Sequence, residues 1–178
     1  MEPSTLLIRP THDADLPAIT EIYADAVRTG TASFELEPPD QAEIARRRQA
    51  VTQAGLPWLT AERSGAVLGY AYAGPFRPRP AYRFCVENSI YVDARARGQG
   101  VGALLLAELI ARCETWGARQ MVAVIGDSAN TASIALHARL KFRPAGRIEY
   151  VGWKFGRWLD VVFMQRTLAA GASTPAAD

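Results

Sequence analysis

The chain has 178 residues, 49% of them apolar, which fits one domain with an adequate core. Twenty basic residues against eighteen acidic ones leave a formal net charge of +2, too little for bulk attraction to nucleic acid or to an anionic membrane, so any anion site must be local. Apolar stretches such as 101–106 and 121–125 fall far short of the ~20 residues that span a bilayer, and residues 1–10 lack a basic region followed by an apolar run. The two cysteines, Cys85 and Cys113, make no disulfide framework, and no Cys or His pair has metal-ligand spacing. The expectation is a soluble cytoplasmic protein without metal, nucleic-acid partner or membrane attachment.

Residues 5–9 read as a short apolar strand. Asp13 or Asp15 then caps a helix that tolerates Pro17 in its first turn and carries Leu16, Ile19, Tyr23, Ala26 and Val27 on one face. Residues 29–39 look irregular, and Asp40 followed by Glu43 resembles a capping box opening a second helix that continues to Val51. The run Arg46, Arg47, Arg48 on that helix reads as a solvated face. Residues 58–62 and 66–73, joined by Ser64 and Gly65, predict an antiparallel hairpin. The proline-rich stretch 75–80 disfavours regular structure and leads into a strand at 85–92, rich in Val, Ile and Tyr. A helix over 100–116, stopped by Gly117 before a strand at 120–125, makes a βαβ unit. Another helix over 130–140 precedes two aromatic strands at 148–155 and 158–166, separated at Gly156 and Arg157. The class is α/β, with a single domain at 1–168 and a disordered tail at 169–178.

Arg97, Gly98, Gln99, Gly100, Val101 and Gly102 stand between a strand and a helix, where glycines let a ligand approach the backbone and first-turn amides face an anion. Gly98, Gly100 and Ala103 fit the dinucleotide fingerprint, with Asp127 after the next strand as a ribose ligand. In that motif, however, the turn follows its strand almost at once and opens a large parallel sheet, whereas residues 93–97 intervene here and little chain remains. A Walker loop fails because no Gly-Lys-Ser/Thr closes the turn.

Arg97, Gly100 and Gly102 also match a (Q/R)-x-x-G-x-(G/A) turn, and from about residue 6 to 168 the chain resembles the GNAT acetyltransferases in the order of its elements. That resemblance implies a mixed central sheet flanked by helices, with acetyl-CoA as cosubstrate. Its pyrophosphate would lie on the turn formed by Arg97, Gly98, Gln99, Gly100, Val101, Gly102 and Ala103, and its pantetheine arm would pair with Ile90, Tyr91 and Val92 as an added strand does. Arg95 and Arg97 would add side-chain contacts to phosphates. Asn130, where the family often touches the cofactor, is equally well explained as a plain N-cap.

More specific text narrows the resemblance to the phosphinothricin and methionine sulfoximine N-acetyltransferase group. It comprises Tyr72, Ala73, Gly74, Pro75; Ala81, Tyr82; Val86, Glu87, Asn88, Ser89, Ile90, Tyr91, Val92; Val122, Ala123, Val124, Ile125, Gly126; Leu136, His137; and Lys154, Phe155, Gly156, Arg157, Trp158, Leu159, Asp160, Val161. An amine attacks a thioester only as the free base, so a carboxylate beside it is expected, and the resemblance gives Glu87 the role of general base, directly or through water. An ordinary strand ion pair is the competing reading. The CoA thiolate needs a proton, and the resemblance puts His137 where many GNAT enzymes carry a tyrosine that serves as the acid, with a histidine packed in the core as the alternative. Arg77 and Arg79, spaced by proline in a stiff loop, suit a carboxylate or phosphinate, or are two surface arginines. Phe34, Glu35, Tyr82, Asn88 and Ser89 would complete a pocket for a small amino-acid-like molecule.

The resemblance thus implies direct acetyl transfer to an α-amino group in a ternary complex, since neither cysteine has an activating histidine nearby in sequence. Two rivals stand beside it, a GNAT enzyme for another amine and a non-catalytic acyl-CoA sensor. Lys141 occupies a helix end where the superfamily usually has glycine, which predicts a left-handed lysine or a differently built turn. The aromatic hairpin with Trp153, Phe155 and Trp158 exceeds what a small core needs and predicts a homodimer face.

Overall fold

The computed structural model describes residues 5–175. Seven strands form one mixed sheet in the order β1-β2-β3-β4-β5-β7-β6. They are β1 (Leu7–Pro10), β2 (Trp58–Arg63), β3 (Ala66–Pro75), β4 (Cys85–Val92), β5 (Gln120–Gly126), β6 (Arg143–Lys154) and β7 (Arg157–Thr167). The β4–β5 pair is parallel and the other neighbours run antiparallel. Four helices cover the sheet: α1 (Leu16–Thr29), α2 (Gln41–Gln53), α3 (Val101–Trp116) and α4 (Thr131–Arg139).

The alternation of side chains across each strand feeds two cores. On one face, Leu105, Leu106, Leu109 and Cys113 of α3 pack on Leu59, Ala61, Ala71, Val86 and Met121, with Ile134 and Leu136 of α4 alongside. On the other, Leu16, Ile19, Tyr23 and Val27 of α1 and Ile44 of α2 meet Trp58 and Tyr70. Each such aliphatic side chain contributes about 1.5–3 kcal/mol by leaving water. The rings of Trp58, Tyr70, Tyr72 and Tyr91 stack across β2, β3 and β4 beneath α1 and α2. This stack ends at β4.

Local chemistry explains the element ends. Asp40 accepts the Glu43 amide as the α2 cap, while the Glu43 carboxylate turns to Arg46 and Arg47. The arginine run is not a solvated face. Arg47 is half-buried and bridges Glu43 to Glu35, Arg48 pairs with Asp13, and Arg46 alone of the three stays mostly in water. Pro80, the last residue of the proline-rich stretch, starts a single 3₁₀ turn, Pro80–Tyr82. The last hairpin turns on Phe155 and Gly156, one residue earlier than expected. Both have positive φ, and Lys154 pairs with Arg157, the geometry of a two-residue hairpin loop. Lys141 is left-handed, with φ 65°. Beyond β7, residues 169–175 run through turns in which Arg119 donates to Gly171 O, Thr174 Oγ and Pro175 O. The expectation for 176–178 lies outside the described residues.

Candidate active site

The parallel pairing of β4 and β5 stops at Asn88 and Ala123, although β4 continues to Val92 and β5 to Gly126. The two strands part like the arms of a V, and a cleft of about 1290 Å³ opens between them and the starts of α3 and α4. Antiparallel pairs that exchange both backbone hydrogen bonds alternate along β3 and β4. Phe76 N donates to Cys85 O and Asp93 N to Leu68 O, so the odd-numbered residues of β4 spend their backbone groups on β3. The N–H and C=O of Ile90 and Val92 therefore face the cleft, whereas those of Tyr91 do not. This two-residue strand edge has the geometry to pair with an extended chain, the Val92 carbonyl also accepting from Arg97 Nε.

At the mouth, Gly98 and Gly100 have φ of 76° and 82°, with open space where a Cβ would stand. Ala103 N and Leu104 N both donate to Gly100 O, which closes the first turn of α3 and leaves the Val101 and Gly102 amides directed out of its positive end. Gly98, Gly100, Val101, Gly102 and Ala103 line the cleft, as do Arg97 and Asn130. Arg97 reaches Asp25 of α1 and the Val92 carbonyl. Arg95 and Gln99 are not in the lining: Arg95 is exposed and paired with Asp93, and Gln99 links Arg63 to the Arg95 carbonyl. Asn130 caps α4 through the Ser133 amide and also donates to Gly126 O, so the cap and the cleft wall are one feature. An anionic group followed by an extended polar arm fits these residues.

Glu87, Asn88 and Ser89 lie where the V begins. Glu87 is half-buried, and among the described residues none hydrogen-bonds its carboxylate. Burial raises its pKa above the usual glutamate value, while the Arg77 charge pulls the other way. Ser89 stands opposite Tyr72 of β3 on that face. Asn88 points to the opposite face, donating to Val122 O and turning its Oδ1 to His137 Nε2 at 3.0 Å. His137 Nδ1 meets Ser133 O at 2.8 Å. Both acceptors would be satisfied together by the imidazolium, but burial lowers the ring's pKa below its ordinary value, so at neutral pH the neutral ring donates to one of them. The histidine thereby ties α4 to the point where β4 leaves β5.

Phe34 and Glu35 also line the cleft, from the loop between α1 and α2. Glu35 accepts from Tyr23 Oη and Arg47. The structure does not bring Arg77, Arg79 and Tyr82 into this lining. Tyr82 borders a second crevice of about 340 Å³ with Phe76, Cys85, Val122 and Phe163, on the open sheet face, and Arg77 lies over the Phe76 ring close enough to act on Glu87 by charge.

Sequence reasoning missed Arg47, Arg157 and the role of Lys154. Asp127, weighed as a ribose ligand, is 2% exposed and spends its carboxylate on Arg157 and the Ala129 amide. Lys154 had a readable signal: it stands among the aromatic and glycine residues of β6, at a position where the strand turns inward.

The family model described as Acetyltransferase (GNAT) family matches residues 16–142. The chain is 58% identical over 167 residues to the phosphinothricin N-acetyltransferase of Alcaligenes faecalis, covering 94% of this chain and 85% of that protein. It is 45% identical to the L-methionine sulfoximine/L-methionine sulfone acetyltransferase of Pseudomonas aeruginosa, over 94% of this chain and 98% of that one. The crystal structure of a GNAT superfamily phosphinothricin acetyltransferase from Sinorhizobium meliloti in complex with acetyl-CoA superposes with a TM-score of 0.95 at 48% identity, over 98% of this chain and 94% of that chain. The family model spans most of the chain and the relatives match over most of their own length, so the chain belongs to the GNAT acetyltransferase family.

Proposed function

We propose that the protein is an N-acetyltransferase that moves the acetyl group of acetyl-CoA to the α-amino group of a small amino-acid analogue such as phosphinothricin, methionine sulfoximine or methionine sulfone. The observation that carries this reading is the Glu87 carboxylate, half-buried and raised in pKa, at the point where β4 and β5 part. The names of the sequence relatives and of the acetyl-CoA-bound neighbour support the choice of donor and acceptor. Acetyl-CoA supplies an activated acyl group. The amides of Val101 and Gly102, with Arg97, would hold its phosphates, and Ile90 and Val92 its extended arm.

Glu87 takes the proton from the acceptor ammonium, directly or through water, which frees the nitrogen lone pair. Of the two cleft-facing amides, that of Ile90, nearer to Glu87 in the strand, is the donor available to an oxyanion, which leaves the Val92 amide and the Ile90 carbonyl to the arm. His137 holds Asn88, and any proton it delivers to the leaving thiolate requires release of one of its present partners. Transfer is direct in this scheme. Burial raises the Cys85 thiol and pushes Cys113 up to about 12, so neither is a thiolate at neutral pH. Phe34, Glu35 and Ser89 wall the acceptor, and Arg77, close enough to act on Glu87 by charge, disfavours polycationic amines, while Arg79 and Tyr82 stand outside this cleft. The reading takes residues 1–168 as one domain, the compartment as cytoplasmic and the state as a homodimer through the aromatic hairpin. No helix among the described residues is long and apolar enough to cross a membrane.

Thiol release from acetyl-CoA with the three acceptors, native against Glu87→Gln, tests the proposal. Turnover should fall by about 10²–10⁴ in the variant with acetyl-CoA binding retained, the size usual for losing a general base. Firm acetyl-CoA binding with no thiol release from the native protein would instead point to another amine or to a sensor.

A further inference from the structure

Lys154, the last residue of β6, is 4% exposed. Its Nζ donates to Gly30 O at 2.9 Å and to Ser33 O at 2.7 Å, both in the loop between α1 and α2. A buried ammonium is costly unless its protons find acceptors, so lysine and loop hold each other. A second contact fixes the same loop. The Phe34 ring lies between Gly126 of β5 and Gly152 of β6, and a Cβ on either would stand 2.4 Å from a ring atom. The ring's seat therefore exists because β5 and β6, which flank β7 in the sheet, both carry glycine at that level. Ser33 and Glu35 are further tied to Tyr23 Oη. The residues so fixed, 31–35, line the cleft that holds Glu87.

We propose that Lys154 is a positioning residue for the acceptor amine, pegging the 30–35 loop to the C-terminal hairpin so that Phe34 and Glu35 stand as a rigid wall before the amine arrives. It rests on the acceptor reading above. A fixed wall spares the ordering cost that a mobile loop would impose on acceptor binding, and it touches none of the residues that would hold acetyl-CoA.

Two variants test it. Lys154→Met keeps the stem and removes the donors, and Gly152→Ala displaces the Phe34 ring without touching the lysine. Each should raise KM for the acceptor by about tenfold with kcat within about twofold, as loss of uniform binding does, and leave the acetyl-CoA Kd unchanged. Hydrogen exchange at residues 31–36 should accelerate by about tenfold in Lys154→Met while α3 exchanges at the native rate. Unchanged loop exchange overturns the peg, and so does a loss of acetyl-CoA affinity equal to the loss for the acceptor. Should Lys154→Met fail to fold, Gly152→Ala decides through the same KM split, an unchanged KM overturning the wall. A native protein that turns over none of the acceptors refutes the substrate reading, and loop exchange then decides the peg alone.

Discussion

Two carboxylates show how environment divides labour in this chain. Asp15 accepts two bonds from the Arg9 guanidinium and one from the His12 amide, and the arginine holds it below its ordinary value. Glu87 is half-buried, with no hydrogen-bonding partner for its carboxylate among the described residues, and moves the other way. A base must be unprotonated to work, so activity falls as pH drops through the Glu87 pKa. The acid limb of kcat/KM, with acceptor expressed as free base, is expected above the ordinary glutamate value of 4.5. Arg77 is the charge that pulls this pKa down, so Arg77→Ala should move the limb further up; a limb that stays put or falls would show that Arg77 does not act on Glu87. Glu87 as a candidate was legible through the text around it. The direction of its pKa was not, because burial and the Arg77 charge come from parts of the chain distant in sequence.

At the scale of elements, signals that close within a few residues were readable. The Asp40 cap, the Ser64–Gly65 turn with φ of 51° and 79°, and the Gly117 stop each follow from one residue's local chemistry. The arginine run on α2 was misjudged because the partners of Arg47 and Arg48 lie in Glu35 and Asp13, on other elements. The last hairpin was misplaced by one residue because a glycine beside an arginine marks a turn without fixing its register. Lys141 is a local case that can be tested. It is exposed, its φ of 65° is disfavoured for a side chain with a Cβ, and the turn is closed by Lys141 N to Ala138 O and Phe142 N to His137 O. Lys141→Gly keeps those bonds and relieves the strain, for an expected gain of about 0.5–1 kcal/mol and a Tm about 2 °C higher by calorimetry. A lower Tm would mean that the lysine side chain contributes more than its backbone costs.

Over the whole molecule, the sheet order was the least legible feature. β7 enters between β5 and β6, so the hairpin's second strand pairs inward and its first becomes the edge. No periodicity reports that exchange, which depends on contacts between distant parts of the chain. The consequence is a long edge hairpin that sets Lys154 and Gly152 against the 30–35 loop on one side and leaves large side chains in water on the other. Ile148, Tyr150, Val151, Trp153, Phe155 and Trp158 are each at least half exposed, and the rings of Trp153 and Trp158 pack edge to face. Exposed large apolar side chains gathered on one hairpin are a burden for a monomer and suit a two-fold contact, in which each hairpin meets its own copy. The native protein is expected to sediment as a dimer across the micromolar range. Trp153→Glu, placing a charge and its two-fold mate in that face, should shift the equilibrium to monomer while far-ultraviolet circular dichroism stays native. A native monomer, or a Trp153→Glu dimer as tight as the native one, would remove the hairpin as the interface and leave its aromatic surface to another partner.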